Sequence, residues 1–188
     1  MGDLFREKGK WLMRRVEVTP YSGDWVRMYE EEVEKLRHVF GVQFVAIYHI
    51  GSTAVPGLDA KPIIDIMPVV RDISLVDEYN QLMRDIGYEP KGENGIPGRR
   101  YFQKGGDNRT HHVHVFQVGS LHIRRHLAFR DYLRKHPNEA REYGELKRKL
   151  AQAFPNDIGS YIQGKESLVV KIEDLALQGY KDKRLEEG

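Results

Sequence analysis

"HIGSTAVPGLDAKPIIDIMPVV", His49 to Val70, joins two apolar runs across a Gly-Ser turn, and the fold hangs on how it is read. The run that leads into it, "VQFVAIYHI" (Val42 to Ile50), is rich in β-branched and aromatic residues, as is "IIDIMPVV" (Ile63 to Val70). Both predict buried strands, with "GSTAVPGLDAKP" a loop holding a helical turn. Gly51 lets the backbone turn sharply and brings N–H groups close to a ligand. Ser52 adds a hydroxyl that can bond a phosphate oxygen, and a helical N-terminus here would favour an anion. Asp65 then stands inside an apolar strand, where an ionised carboxylate needs a partner, and a metal ion is one. The plainer alternative is a turn at Gly51 and an Asp65 that caps a neighbouring loop. The next residue on the same strand face as Asp65 is Met67, where a second carboxylate would be most useful.

Outward from this stretch the periodicity switches repeatedly. Val16 to Val18 reads as a short strand. Ser22 or Asp24 can cap a helix to Phe40, striped by Trp25, Met28, Tyr29, Val33, Leu36 and Phe40. Ser74 with Asp77 resembles a capping box for a helix carrying Leu75, Tyr79, Leu82, Met83 and Ile86, stopped by Gly87. "RYFQK" and "HHVHVFQV" predict strands joined through "GGDNR", after the turn-rich "GENGIPGRR". Beyond Gly119 the pattern is helical, with Pro137 in the first turn of one helix and Asn156 or Asp157 capping the last. The fold class expected is α/β or α+β: a mixed sheet domain over residues 1–120 with a helical segment, 121–188, packed on it.

Two further stretches carry chemistry. In "THHVHVF" a strand places His112, His114 and Phe116 on one face and His111, Val113 and Val115 on the other. Two histidines at that spacing can reach one metal or one phosphate. The last helix has a stripe of Ile158, Tyr161, Ile162, Lys165, Leu168, Val169, Ile172 and Ala176. Lys165 interrupts that apolar face, and must meet an anion or reach out to water.

Composition narrows the classes. Hydrophobic residues make up 40% and charged residues 31% of the 188, ordinary for a chain with a sizeable core. Net charge is only +2, yet Lys91 to His136 holds ten Lys/Arg against three acidic residues and six of the eight histidines. That excess points to an anionic partner such as phosphate, nucleotide or nucleic acid. Cysteine is absent, which removes disulfides and thiolate chemistry and fits a cytoplasmic setting. No run is long enough to span a membrane, and the N-terminus lacks the apolar core of an export signal. The chain has no Walker A, G-x-G-x-x-G, H-E-x-x-H or G-x-S-x-G pattern.

"HIGSTAVPGLDAKPIIDI" resembles the signature of the GrpB-like family. The resemblance continues through "RRYFQKGGDNRTHHVHVF", "RHLAFRDYLRKHP", "YGELKRKLA" and "YIQGKESLV", from about Val16 to Ala176. It implies membership of the polymerase-beta-type nucleotidyltransferase superfamily, a small mixed sheet flanked by helices. It also implies that Gly51 and Ser52 hold a nucleoside triphosphate and that Asp65 is the first metal carboxylate. GrpB-like domains fused to dephospho-CoA kinase keep the setting close to nucleotides. Met67 departs from the superfamily's second carboxylate. Histidines 112, 114 and 49 are therefore the candidate helper ligands, and such a nitrogen-rich site suits Zn or Mn better than Mg. The expected set is Asp65, His112 and His114 for catalysis and metal, with His49 as a further ligand. Gly51, Ser52, Lys61, Arg109, Tyr161 and Lys165 are expected on phosphate. The expected activity is nucleotidyl or phosphoryl transfer to a small molecule. A non-catalytic nucleotide- or CoA-binding module is the alternative, and RNA binding or modification the third.

Overall fold

The computed structural model describes residues 15–186, with side chains to Gly179, and two short strands, β1 (Arg6–Glu7) and β2 (Lys10–Trp11), that pair antiparallel. The main sheet has five strands: β3 (Phe44–Ile50), β4 (Ile64–Val70), β5 (Tyr88–Pro90), β6 (Arg99–Lys104) and β7 (His111–Gln117). Their order is β3-β4-β7-β6-β5. Strands β4 and β7 are parallel, and every other pair is antiparallel. The mixed α/β class read from the sequence is the class observed.

One face of the sheet packs on α1 (Asp24–Phe40). Ile64, Ile66 and Val70 of β4 and Val113 and Val115 of β7 meet Trp25, Leu36, Val39 and Phe40 there. Full burial of each such side chain stabilises the fold by about 1.5–3 kcal/mol. The opposite face carries Ile50, Met67 and Phe116, covered by Ile123 and Leu127 of α3 (Leu121–Lys135). Two more helices follow, α4 (Pro137–Ala153) and α5 (Ile158–Glu186). Their Ala140, Tyr143 and Ile172, with Leu133 of α3, bury Val55 and Leu58 from the loop after β3. The helical segment thereby fixes the Gly-Ser loop against the sheet. Strand β3 lies at the sheet edge. Tyr29 Oη donates to Ile47 O at 3.3 Å and Arg130 Nη1 to His49 O at 3.0 Å, which blunts an edge otherwise open to pairing.

Several local expectations change. Val16 to Val18 forms no strand: Val16 N donates to Pro155 O at 2.7 Å, and only Thr19 bridges to Ala60. The cap expected at Ser74 is Asp72, whose carboxylate accepts from Ser74 N at 2.9 Å. A 3₁₀ helix runs Ile73–Tyr79, and only Asn80–Asp85 (α2) is α-helical. Because a 3₁₀ turn takes three residues, the expected stripe rotates, leaving Leu82 48% exposed while Val76 is buried. Strand β5 was not anticipated, since three residues give too little alternation to read. Asp157 does cap α5, accepting from Ser160 N at 3.0 Å. Among the described residues no helix is long and apolar enough to cross a membrane.

Candidate functional site

The parallel pairing of β4 with β7 sets Asp65 opposite His112. Alternation along β7 puts His114 on the same face. His112 Nδ1 lies 3.3 Å and His114 Nε2 3.1 Å from Asp65 Oδ1. One atom from each of the three residues falls within 4.8 Å of the others. Burial alone would raise the Asp65 carboxyl. The hydrogen bonds from His112 and His114 more than reverse this, holding it well below the usual carboxylate range. Burial pushes His112 the other way, below the ordinary imidazole value.

One oxygen and two nitrogens form a donor set that suits Zn, Mn or another transition metal better than all-oxygen Mg. Among the described residues the Nε2 atoms of His111, His112 and His126 are buried with no hydrogen-bond partner, and that of His112 belongs to the cluster and has a lone pair for an ion. On these two observations the residues fit a divalent ion. Met67 shares the face of Asp65 but is fully buried against Ile50 and Phe116, so greasy packing occupies the place of a second carboxylate.

Gly51 adjoins this cluster. Its φ is +71°, and a Cβ there would sit 2.7 Å from Asp65 Oδ2. Only glycine lets the loop turn and pass that close to the carboxylate. Ser52 Oγ accepts from Lys147 Nζ at 2.8 Å. Lys147, on α4, is 3% exposed. Its burial, with Lys165 and Lys61 nearby, lowers it to about 7. Lys61 and Lys165 lie over the Tyr161 ring at 5.5 and 5.9 Å. Asp65, His112, the Gly51-Ser52 turn and these three lysines line one cleft of about 400 Å³, with Tyr143, Tyr161 and Phe129 as its aromatic wall.

Of the residues singled out from sequence, Gly51, Ser52, Lys61, Asp65, His112, Tyr161 and Lys165 line the cleft, and His114 joins through Asp65. His49 is elsewhere. It alternates onto the α1 face, stacks on Tyr29 at 4.8 Å and bonds Thr53 Oγ1 at 3.0 Å. Burial lowers it to about 4, so it is neutral at physiological pH. Arg109, in the β6–β7 turn, lies outside the cleft lining among the described residues, although its charge reaches His112. Part of the basic stretch serves the fold, since Arg100 pairs with Asp77 and Arg134 donates to Ala54 O, while Arg125 pairs with Glu173 in the cleft lining. Lys147 and His126 were missed. Lys147 sits in the charged run "LKRK", which reads as a solvated face. Its spacing of four from Tyr143 and seven from Ala140 was the available signal that it points inward.

Residues 15–175 match the protein family described as GrpB protein. The chain belongs to the GrpB family. It is 52% identical to the UPF0157 protein YqkA of Bacillus subtilis over 87% of this chain. This chain spans 48% of that relative's length. Among solved structures, the conserved protein GrpB from Enterococcus faecalis superposes with a TM-score of 0.84 at 47% identity, covering 87% of this chain and 99% of that one. A more distant neighbour is the Cid1 poly(U) polymerase bound to MgATP, at a TM-score of 0.47 and 12% identity over 69% of this chain and 45% of that one.

Proposed function

We infer that this GrpB-family protein is a divalent-metal-dependent nucleotidyl or phosphoryl transferase acting on a small molecule. One juxtaposition carries the reading: Asp65 and His112 of a metal-capable cluster completed by His114 line a single cleft of about 400 Å³ together with Ser52, Lys61, Lys147 and Lys165. Lys147, Lys165 and Lys61 bind and orient a phosphate chain, and the Ser52 hydroxyl turns from Lys147 onto a phosphate oxygen. Tyr161 and Tyr143 shield those contacts from water, where a charged hydrogen bond is worth about 1.5–3 kcal/mol. Asp65, His112 and His114 would hold the ion, which when bound neutralises charge on the phosphoryl group in transfer. A second reading, nucleotide or CoA-like binding without turnover, is favoured by Met67, which leaves this cluster with one carboxylate.

The deciding experiment is thermal melting with a panel of nucleotides and with Mg²⁺, Mn²⁺ and Zn²⁺, on the wild type and on Asp65→Ala. A ligand at 100 times its Kd should stabilise by about 2.7 kcal/mol. Asp65→Ala should abolish the metal dependence of that shift. No stabilisation by any nucleotide with any ion would sink both readings, and turnover of the stabilising nucleotide separates enzyme from binder.

Lys147 supplies a prediction with a definite sign. Folded Lys147 releases its proton at about 7, against 10.5 for an ordinary lysine. Across that window the unfolded chain binds the extra proton, so unliganded stability should rise with pH. Nucleotide binding should weaken over the same range as the cation is lost. Lys147→Met should flatten the rise in denaturant titrations and weaken nucleotide binding by about tenfold or more. An unchanged pH slope in the variant would count against the assignment.

A further inference from the structure

The turn-rich loop before β6 holds Arg99 in one orientation. Glu93 Oε1 accepts from Gly98 N at 2.8 Å, and Asn94 takes a left-handed φ of +46°. The carbonyls so presented accept from the guanidinium: Glu93 O from Nε at 3.2 Å and Asn94 O from Nη2 at 2.7 Å. Arg99 is 6% exposed and lies over the Tyr101 ring at 4.8 Å. Its remaining arm, Nη1, points at His114 Nδ1, 3.3 Å away. A guanidinium can only donate. His114 Nδ1 must therefore accept, and the ring proton sits on Nε2, which donates to Asp65 Oδ1 at 3.1 Å.

This arrangement bears on the metal. To ligate through Nε2, His114 must carry its proton on Nδ1, where it would meet the Arg99 N–H head on. Metal-bound histidines usually give their second N–H to a carboxylate or carbonyl, and here the partner is a donor. His112 has no such conflict: its Nδ1 faces Asp65, and its Nε2 is buried and unbonded among the described residues.

We propose that Arg99 is a positioning residue that latches His114 in its Nε2–H tautomer, so that His114 joins a metal ion only when Arg99 withdraws. The inference rests on the metal-dependent reading above. Without an ion, Arg99 keeps the His114 ring proton aimed at Asp65 Oδ1, which His112 Nδ1 also faces. On loading, the proton moves to Nδ1 and the contact with Arg99 breaks.

The test uses the full chain labelled with nitrogen-15 histidine and Co²⁺ as the probe. In the metal-free wild type, two-bond proton–nitrogen spectra should show His114 protonated at Nε2. Saturating Co²⁺ or diamagnetic Zn²⁺ should move that proton to Nδ1. Arg99→Met should bind Co²⁺ about tenfold more tightly, read from its visible absorption. Arg100→Met removes the same charge from the neighbouring residue, which is paired to Asp77, and should change affinity far less. Protonation of metal-free His114 at Nδ1 overturns the latch, and that measurement needs no variant. Loading without a tautomer change, equal effects of the two variants, or no Co²⁺ binding to either wild type or Arg99→Met also overturns it. Nucleotide-induced melting shifts are read separately, so the latch and the transferase reading fail independently.

Discussion

Gly51→Ala should destabilise the protein by about 3 kcal/mol and displace the Asp65 carboxylate. Two effects add. At φ +71° and ψ −169° an alanine enters a backbone region kept essentially to glycine, at a cost of about 1–3 kcal/mol. Its Cβ would also lie 2.7 Å from Asp65 Oδ2 and 3.2 Å from Asp65 Cβ, and relieving such overpacking costs about 1–3 kcal/mol. The carboxylate cannot easily swing away, because His112 and His114 both hold its other oxygen. Gly57→Ala is the control for the close approach: its φ is also positive, at +78°, but a Cβ there meets nothing within 4 Å. It should cost only about 1 kcal/mol and leave the Asp65 carboxylate in place. Denaturant titrations of the two variants compare them directly. If they lose equal stability, the close approach to Asp65 has no energetic weight.

Glu32→Ala should be as damaging, at about 3 kcal/mol, although it lies on the sheet face away from the cleft. Glu32 is 3% exposed on α1. It accepts from Tyr88 Oη at 2.8 Å, Lys35 Nζ at 2.7 Å and Lys104 Nζ at 2.9 Å. Removing it leaves the buried Tyr88 hydroxyl without its acceptor and Lys104 without its counter-charge. Glu32→Gln, which keeps the shape and loses the charge, should fall between. Burial raises the Glu32 carboxyl, but the bonds from Lys35, Lys104 and Tyr88 outweigh it and the net shift is downward. A depressed carboxyl stabilises the fold above its unfolded value, and the contribution is lost as pH falls through the folded one. Wild-type stability should therefore drop as pH falls below the ordinary carboxyl range, and Glu32→Ala should drop less steeply there. Parallel acid limbs for the two proteins would refute the assignment.

The cleft reads as a balance between stability and binding. Three lysines brought into one cleft repel one another, and burial adds to the cost at Lys147. Proteins commonly retain such local conflict where a ligand resolves it.

How far the site was legible follows from range. Asp65 stood out because a carboxylate in an apolar strand breaks a two-residue alternation, and Gly51 because a strand stopped there. His112 and His114 could be assigned to one face for the same local reason. Which way that face pointed could not be read, because it depends on β4 pairing with β7, 49 residues away from Asp65 to His114. His49 shows the limit: it ends the strand beside the site yet alternates onto the α1 face. Lys147 reaches Ser52 across 95 residues, and Glu32 reaches Lys104 across 72. Both look like ordinary solvated charges in their own helices.

The long strands β3, β4 and β7, the long helices, the Gly-Ser turn and the family signature were thus determined by the sequence itself, since each rests on neighbours within one or two turns of chain. The metal-capable cluster, the lysine cradle, the grip of Arg99 on His114 and the buried Glu32 network were decided by tertiary structure. Each joins side chains from different elements, and their meeting depends on strand register and helix docking, which no local pattern encodes.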